Sequence, residues 1–140
     1  MYKIGYISGM FDILHIGHID ILKFAKENCD YLIVAVGTDD FVRWRKKHDP
    51  VMTYEERKAI VEAIKYVDKV VPCSNLDKIA AYNLYHYDVM IAGSDHEQES
   101  VYINATNKLK ELGVTTIYYP RNPDVSSTNY KKIIHSKTRL

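Results

Sequence analysis

Short apolar runs alternate with amphipathic stretches along the whole chain. KIGYIS, over 3–8, reads as a buried strand; over 17–29 the period turns helical, with Ile19, Leu22 and Ala25 on one stripe. YLIVAVG, over 31–37, is a β-branched run without alternation, the mark of a strand covered on both faces. The stretch 53–66 opens with Thr53 and Glu56 in capping-box spacing and predicts a helix that buries Ala59, Ile60, Ala63 and Ile64. VDKVVP, over 67–72, predicts a third strand stopped by Pro72, and Asn75 predicts the cap of a helix over 76–86 with Leu76, Ile79, Ala80 and Leu84 inward. A fourth strand follows at 88–93. A helix over 97–112 carries Val101, Ala105, Leu109 and Leu112 and ends at Gly113, a last strand spans 114–120, and a helix with a serine-rich start spans 126–137. The polar and basic stretch 38–52 reads as an irregular, mobile loop at the active site.

Five strands alternating with helices predict an α/β fold, a Rossmann-like doubly wound five-stranded parallel sheet in a single domain over 1–140. Ligands of such sheets bind outside the carboxyl ends of the strands, at the topological switch point.

Composition narrows the chemistry only a little. A net charge of +1 on 140 residues, with 46% hydrophobic and 26% charged residues, argues against a bulk nucleic-acid binder or a membrane-surface protein. The cluster RWRKK at 43–47 makes any anion site local. Cys29 and Cys73, isolated in apolar surroundings, fit neither a metal framework nor a disulfide scaffold and are expected to be reduced and buried. MYKIGYIS lacks the features of a signal peptide and no apolar run reaches spanning length, so no membrane insertion and a cytoplasmic location are expected. The sequon at Asn104 then has no consequence.

The chemistry concentrates in SGMFDILHIGH, over 8–18, where the first strand gives way to the first helix. A helix N-terminus presents orphan backbone N–H groups and the positive end of the dipole, and so favours phosphate. Gly9 permits a tight turn, Gly17 lets a phosphate approach the backbone, and His15 and His18 add side-chain donors. A zinc site would need further ligands at suitable spacing, and none follows; a histidine here can also simply cap the helix.

Gly9, Phe11, Asp12, His15, Gly17 and His18 match the G-x-F-D-x-x-H-x-G-H signature, and the chain resembles the cytidylyltransferase group of the HxGH nucleotidyltransferases. Arg121, Val125, Ser126, Ser127 and Thr128 are similar to the family's second signature, and 53–71 to its S-Y-E-x-R-K…R-Y-V-D-E-V segment. The resemblance implies transfer of CMP from CTP to a glycerol phosphate or a similar small polyol phosphate, giving CDP-glycerol and pyrophosphate for teichoic acid or capsule. It implies a Mg²⁺ that arrives with the nucleotide, no metal held by the protein alone, and a homodimer. His15, His18, Lys47 and Arg121 take the catalytic roles by this likeness. Gly9, Met10, Phe11, Gly93, Asp95, Arg121, Ser126, Ser127 and Thr128 join the histidines around the nucleotide. Asp12, Asp39, Arg45, Lys47, Arg57 and Lys65 fall to the acceptor side, Asp12 doubling as a turn former and Asp39 as a helix cap.

There are departures from the pattern. Lys65 stands where the family has arginine, and an ammonium replaces the charge without the bidentate fork. Ser94 and His96 replace an acid and an aromatic residue, and Asn122, Pro123 and Asp124 replace T-E-G. A different polyol phosphate, such as glycerol 2-phosphate, fits these changes. Two other readings remain open: an adenylyltransferase acting on a sugar phosphate such as heptose 1-phosphate, and a nucleotide-binding regulatory module without catalysis.

Overall fold

In the computed structural model, which describes residues 1–120 and 131–134, every apolar run becomes a strand. The order is β1 (Tyr2–Gly9), α1 (Ile16–Glu27), β2 (Cys29–Gly37), α2 (Asp39–Lys46), α3 (Tyr54–Glu62), β3 (Lys69–Cys73), α4 (Lys78–Tyr85), β4 (Val89–Gly93), α5 (Ser100–Glu111) and β5 (Thr115–Tyr119). A 3₁₀ turn at Ser94–His96 precedes α5. The strands form one parallel sheet in the order β3-β2-β1-β4-β5. The chain winds outward from β1 to β3, returns, and winds the other way through β4 and β5. The switch point therefore lies at the carboxyl ends of β1 and β4.

Alternate residues of each strand feed two cores. Ile7, Val34, Val36 and Ile91 point to one face, where Leu22 and Ala25 of α1 and Val61 of α3 cover them. Tyr6, Ile33, Ala35, Met90 and Ala92 point to the other, under Phe41 of α2 and Tyr102 and Leu109 of α5, with Ile79 and Tyr82 of α4 packed alongside. Burial on both faces explains why these strands read as continuous apolar runs. Cys29 and Cys73 are free thiols inside these cores, and burial pushes both thiol pKa values up.

Several expectations need correction. Residues 38–52 are not an irregular loop throughout: Thr38 caps α2 by accepting from the Phe41 amide, and Phe41 and Val42 anchor the helix in the core. Only 47–52 lies between α2 and the cap of α3. The α1 helix stops at Glu27, so Cys29 belongs to β2. Pro72 does not stop β3; it sits within the strand opposite Val36, tolerated because β3 is an edge. The cap of α4 is Asp77, which accepts from Ile79 and Ala80, while the Asn75 side chain accepts from Asp77 one step earlier. The inward faces of three helices also differ from the expected ones. In α3 the buried residues are Arg57 and Val61, whereas Ala59, Ile60 and Ala63 are exposed. In α4 Lys78 is buried and Leu84 exposed, and in α5 Tyr102 is buried and Leu112 exposed. In α3 and α4 a long cation takes an inward position that hydrophobicity alone assigns to solvent.

Candidate active site

The loop from Met10 to Leu14 turns the chain from β1 into α1 at the switch point, with Phe11 and Ile13 both at φ 53°. Phe11 is buried, and its ring lies over Gly9. A Cβ at Gly9 would meet Phe11 Cε2 at 2.9 Å, so the glycine is required by the ring above it.

His15 is the N-cap of α1. Its Nδ1 accepts from the Gly17 amide at 3.0 Å, and Nδ1 of His18 accepts from the His15 amide at 3.1 Å, a capping box built from imidazoles. The two rings lie 4.0 Å apart. A neutral imidazole that accepts at Nδ1 carries its proton at Nε2. Capping and donation are thus two ends of one arrangement: the backbone fixes the tautomer, and each ring becomes an Nε2–H donor.

Both histidines line a cleft of about 1320 Å³ at the carboxyl edge of the sheet. Gly9, Met10, Phe11, Asp12, Gly93 and Asp95 line it too, as does Arg45 of α2. Arg45 reaches across to Glu99, the N-cap residue of α5, at 3.5 Å. Glu99 in turn holds Nδ1 of His96 at 2.9 Å, and the His96 ring stacks on Tyr102.

Asp12 is buried and joins distant segments. Its carboxylate accepts from the amides of Val51 and Met52 at 2.9 and 3.0 Å and from Lys131 Nζ at 2.7 Å. Burial acts to raise the pKa, but Lys131 and the two amides outweigh it and hold the carboxyl below its ordinary value. The residue therefore organises the loop ahead of α3 while lining the cleft.

The structure does not bring every expected residue to the cleft. Arg57 is fully buried and spends its donors within the fold: on the carbonyls of Met52, Met10 and Gly37 and on Asp39 Oδ1, at 2.6–2.9 Å. It ties the loop after β1 to the end of β2, which corrects its expected place on the acceptor phosphate. Asp39 is its partner and lies off the cleft wall. Lys47 closes α2 in the left-handed conformation with its ammonium 5.8 Å from the Trp44 ring, and the neighbouring Arg45 and Lys46 face the cleft instead. Lys65 lies beyond the end of α3, over the Tyr66 ring, at the amino edge of the sheet. Arg121, Ser126, Ser127 and Thr128 lie outside the described residues, as does most of the expected C-terminal helix; 131–134 are helical.

Other cleft residues had escaped the sequence reading. Lys78 donates to Ser8 Oγ at 2.7 Å and lies 5.1 Å from the centre of the Tyr102 ring. Its signal was faint: a lysine at the first position of a helix, in line with Tyr82 and Tyr85 at i+4 and i+7. Lys131 gave none, because its partner Asp12 is 119 residues away.

The cleft thus combines oriented imidazole donors and several cations, an arrangement that can hold polyphosphate and stabilise charge at a transferring phosphorus. A family model described as cytidylyltransferase-like matches residues 6–133. The chain is 36% identical over 127 residues to the glycerol-3-phosphate cytidylyltransferase of Bacillus subtilis (strain 168), covering 90% of this chain and 92% of that protein. It is 35% identical over 130 residues to the glycerol-3-phosphate cytidylyltransferase of Staphylococcus aureus (strain NCTC 8325 / PS 47), covering 92% of each. Among solved structures, a lipopolysaccharide core biosynthesis protein from Thermoplasma volcanium GSS1 superposes with a TM-score of 0.70 at 26% identity, covering 87% of this chain and 98% of that one.

Proposed function

The chain belongs to the cytidylyltransferase-like family, and from that premise we propose that it transfers CMP from CTP to a glycerol phosphate. A phosphate oxygen of the acceptor attacks the α-phosphorus of CTP, the bond to the β-phosphate breaks, and pyrophosphate leaves with the electron pair. The nucleophile is ionised near neutral pH, so the reaction needs alignment and charge stabilisation more than a strong base. The observation that carries this reading is the pair of Nε2–H donors fixed at the entrance of α1, beside the switch point. In this role His15 and His18 donate to the phosphates and to the charge that develops in the transition state. Gly93 and Asp95 sit across the switch point, where backbone groups can read a pyrimidine edge. Arg121, Ser126, Ser127 and Thr128 complete the nucleotide side in the same proposal.

Mg²⁺ belongs to this reading as an ion carried by the phosphates. Among the described residues no group of three or more His, Cys, Asp or Glu could cage a metal, and an ion liganded by phosphate oxygens and water needs no such cage. When bound it neutralises charge on the triphosphate. A cytoplasmic homodimer supplying CDP-glycerol for teichoic acid or capsule completes the proposal. Exposed Trp44 and Val51 offer apolar surface to a second copy, and among the described residues no helix is long and apolar enough to cross a membrane.

The test is pyrophosphate release with each nucleoside triphosphate and Mg²⁺ over a panel of phosphomonoesters. Turnover is expected with CTP and glycerol 3-phosphate. Preference for ATP would replace the reading with adenylyl transfer, and nucleotide binding without turnover on any acceptor would leave only a regulatory module.

A further inference from the structure

Two arginine–carboxylate pairs at the carboxyl end of the sheet differ in kind. Arg57 is fully buried and meets Asp39 at 2.7 Å, with its other donors on backbone carbonyls. Arg45 meets Glu99 at 3.5 Å through one nitrogen, and both side chains are more than a third exposed. The first pair belongs to the framework. Water competes for the second, and a contact of that kind adds little to stability. Glu99 also does nothing for its own helix: it stands at the N-cap position of α5, yet its side chain makes no capping hydrogen bond. One carboxylate oxygen accepts from His96 Nδ1 at 2.9 Å and the other from Arg45. His96 is itself fixed, its ring stacked on Tyr102 with the centroids 4.7 Å apart.

The place of this pair in the fold gives it meaning. Arg45 comes one turn after Phe41, on the core-facing side of α2, and Glu99 follows β4. Because β1 lies between β2 and β4, the pair spans the carboxyl end of β1. Arg45, His96, Glu99 and Tyr102 all line the cleft there. A fixed carboxylate on that wall works against any phosphate that enters, both by like-charge repulsion and by occupying a cation that phosphate would use. It also keeps Arg45 directed across the cleft rather than out into solvent. Phosphate is the stronger partner: its several charged oxygens match the guanidinium fork, which Glu99 engages at one nitrogen only.

We propose that Glu99 is a built-in competitor of the substrate phosphates: it holds Arg45 across the cleft, and a phosphate group binds by replacing the carboxylate on the guanidinium. His96 keeps the displaced carboxylate on the wall, where it takes Arg45 back when the phosphate leaves. The proposal rests on the reading of the cleft as a nucleotidyl-transfer site, but the exchange breaks no covalent bond and is read from binding alone. It makes the cleft hold phosphate less tightly than its cations would allow.

The experiment compares the full chain with Glu99→Gln, Arg45→Gln and the double variant. Calorimetric titration with CTP and Mg²⁺, and separately with glycerol 3-phosphate, is run at low and at high salt. Glutamine keeps an acceptor for His96 and removes the charge, so the melting temperature is expected to stay near that of the parent. Glu99→Gln is expected to bind at least one of the two ligands about three- to tenfold more tightly at low salt, with a smaller gain at high salt. Whichever ligand gains identifies the phosphate that takes Arg45. In the Arg45→Gln background most of that gain is expected to vanish. An equal gain with and without Arg45 overturns the exchange, since simple repulsion then accounts for it, and unchanged affinity for both ligands in Glu99→Gln overturns it as well. Tighter binding that depends on Arg45, without turnover on any acceptor, keeps the exchange and sinks cytidylyl transfer; CTP turnover without tighter binding does the reverse.

Discussion

His15 and His18 show how one residue type can serve two ends. Their Nδ1 atoms satisfy backbone donors at the start of α1, and that engagement leaves Nε2 as the protonated nitrogen of each neutral ring. Replacing His18 by alanine is expected to lower kcat by about 10²–10³-fold, the usual loss when one oriented donor to a developing charge is removed. The same change costs about 1 kcal/mol of stability through the lost cap; kcat with CTP and glycerol 3-phosphate, beside urea denaturation, separates the two effects. Asp12 carries a different prediction. Its carboxyl pKa is held below the ordinary value, so its contribution is present above the unfolded-state pKa near 3.8 and disappears as pH falls through the folded value. Asp12→Asn should be less stable than the parent at pH 7, and denaturation curves should converge as pH drops below about 4. The motif made these residues visible in the sequence. The hydrogen bonds that fix a tautomer, or that tie Asp12 to Val51, Met52 and Lys131, join positions no local pattern relates.

At the scale of elements, strands were legible and helix faces were not. A strand buried on both sides shows as an uninterrupted apolar run, as the central β2 and β4 do, and the partly buried edge strands β3 and β5 were legible as apolar runs too. A helix shows its inward stripe only where that stripe is apolar. Arg57 in α3 breaks that rule because its five donors find three carbonyls and a carboxylate. Arg57→Ala is expected to cost about 3–5 kcal/mol by leaving buried Gly37 and Met10 carbonyls and Asp39 without it, and Arg57→Lys to recover only part, since lysine lacks the fork. Urea midpoints of the two variants check both statements. The α2 helix escaped notice because its 8 residues have only Phe41, Val42 and Trp44 as apolar positions. Its stability rests on the Thr38 cap and on docking of two side chains. Thr38→Ala should therefore cost about 1 kcal/mol and loosen Arg45 from Glu99, seen as faster amide exchange over 39–46.

For the whole molecule, the cleft is a product of strand order. Because β1 stands between β2 and β4, the loops after β1 and β4 diverge and leave a crevice where α1 begins. Ligands that bind this crevice bind the folded chain only. CTP with Mg²⁺ at a hundred times its dissociation constant should thus stabilise the protein by about 2.7 kcal/mol, a rise of several degrees in melting temperature. His18→Ala should show a smaller rise at the same nucleotide concentration.

The alternation of apolar runs with helical patterns, and one eleven-residue stretch at the end of the first strand, determined the fold class, the family and the imidazole pair. These are local properties: periodicity, capping spacing and a turn forced by a glycine under a phenylalanine ring leave their mark within a few residues. Which cations face the cleft was decided only by the tertiary structure. Arg57, Lys65 and Lys78 are three long basic side chains near the same strands, and no local pattern ranks them. Burial against carbonyls turned the first inward to the fold, the sheet's amino edge carried the second away, and the packing of α4 beside Ser8 brought the third to the site. A charge takes its role from the groups that surround it, and those groups are assembled from segments far apart in the chain.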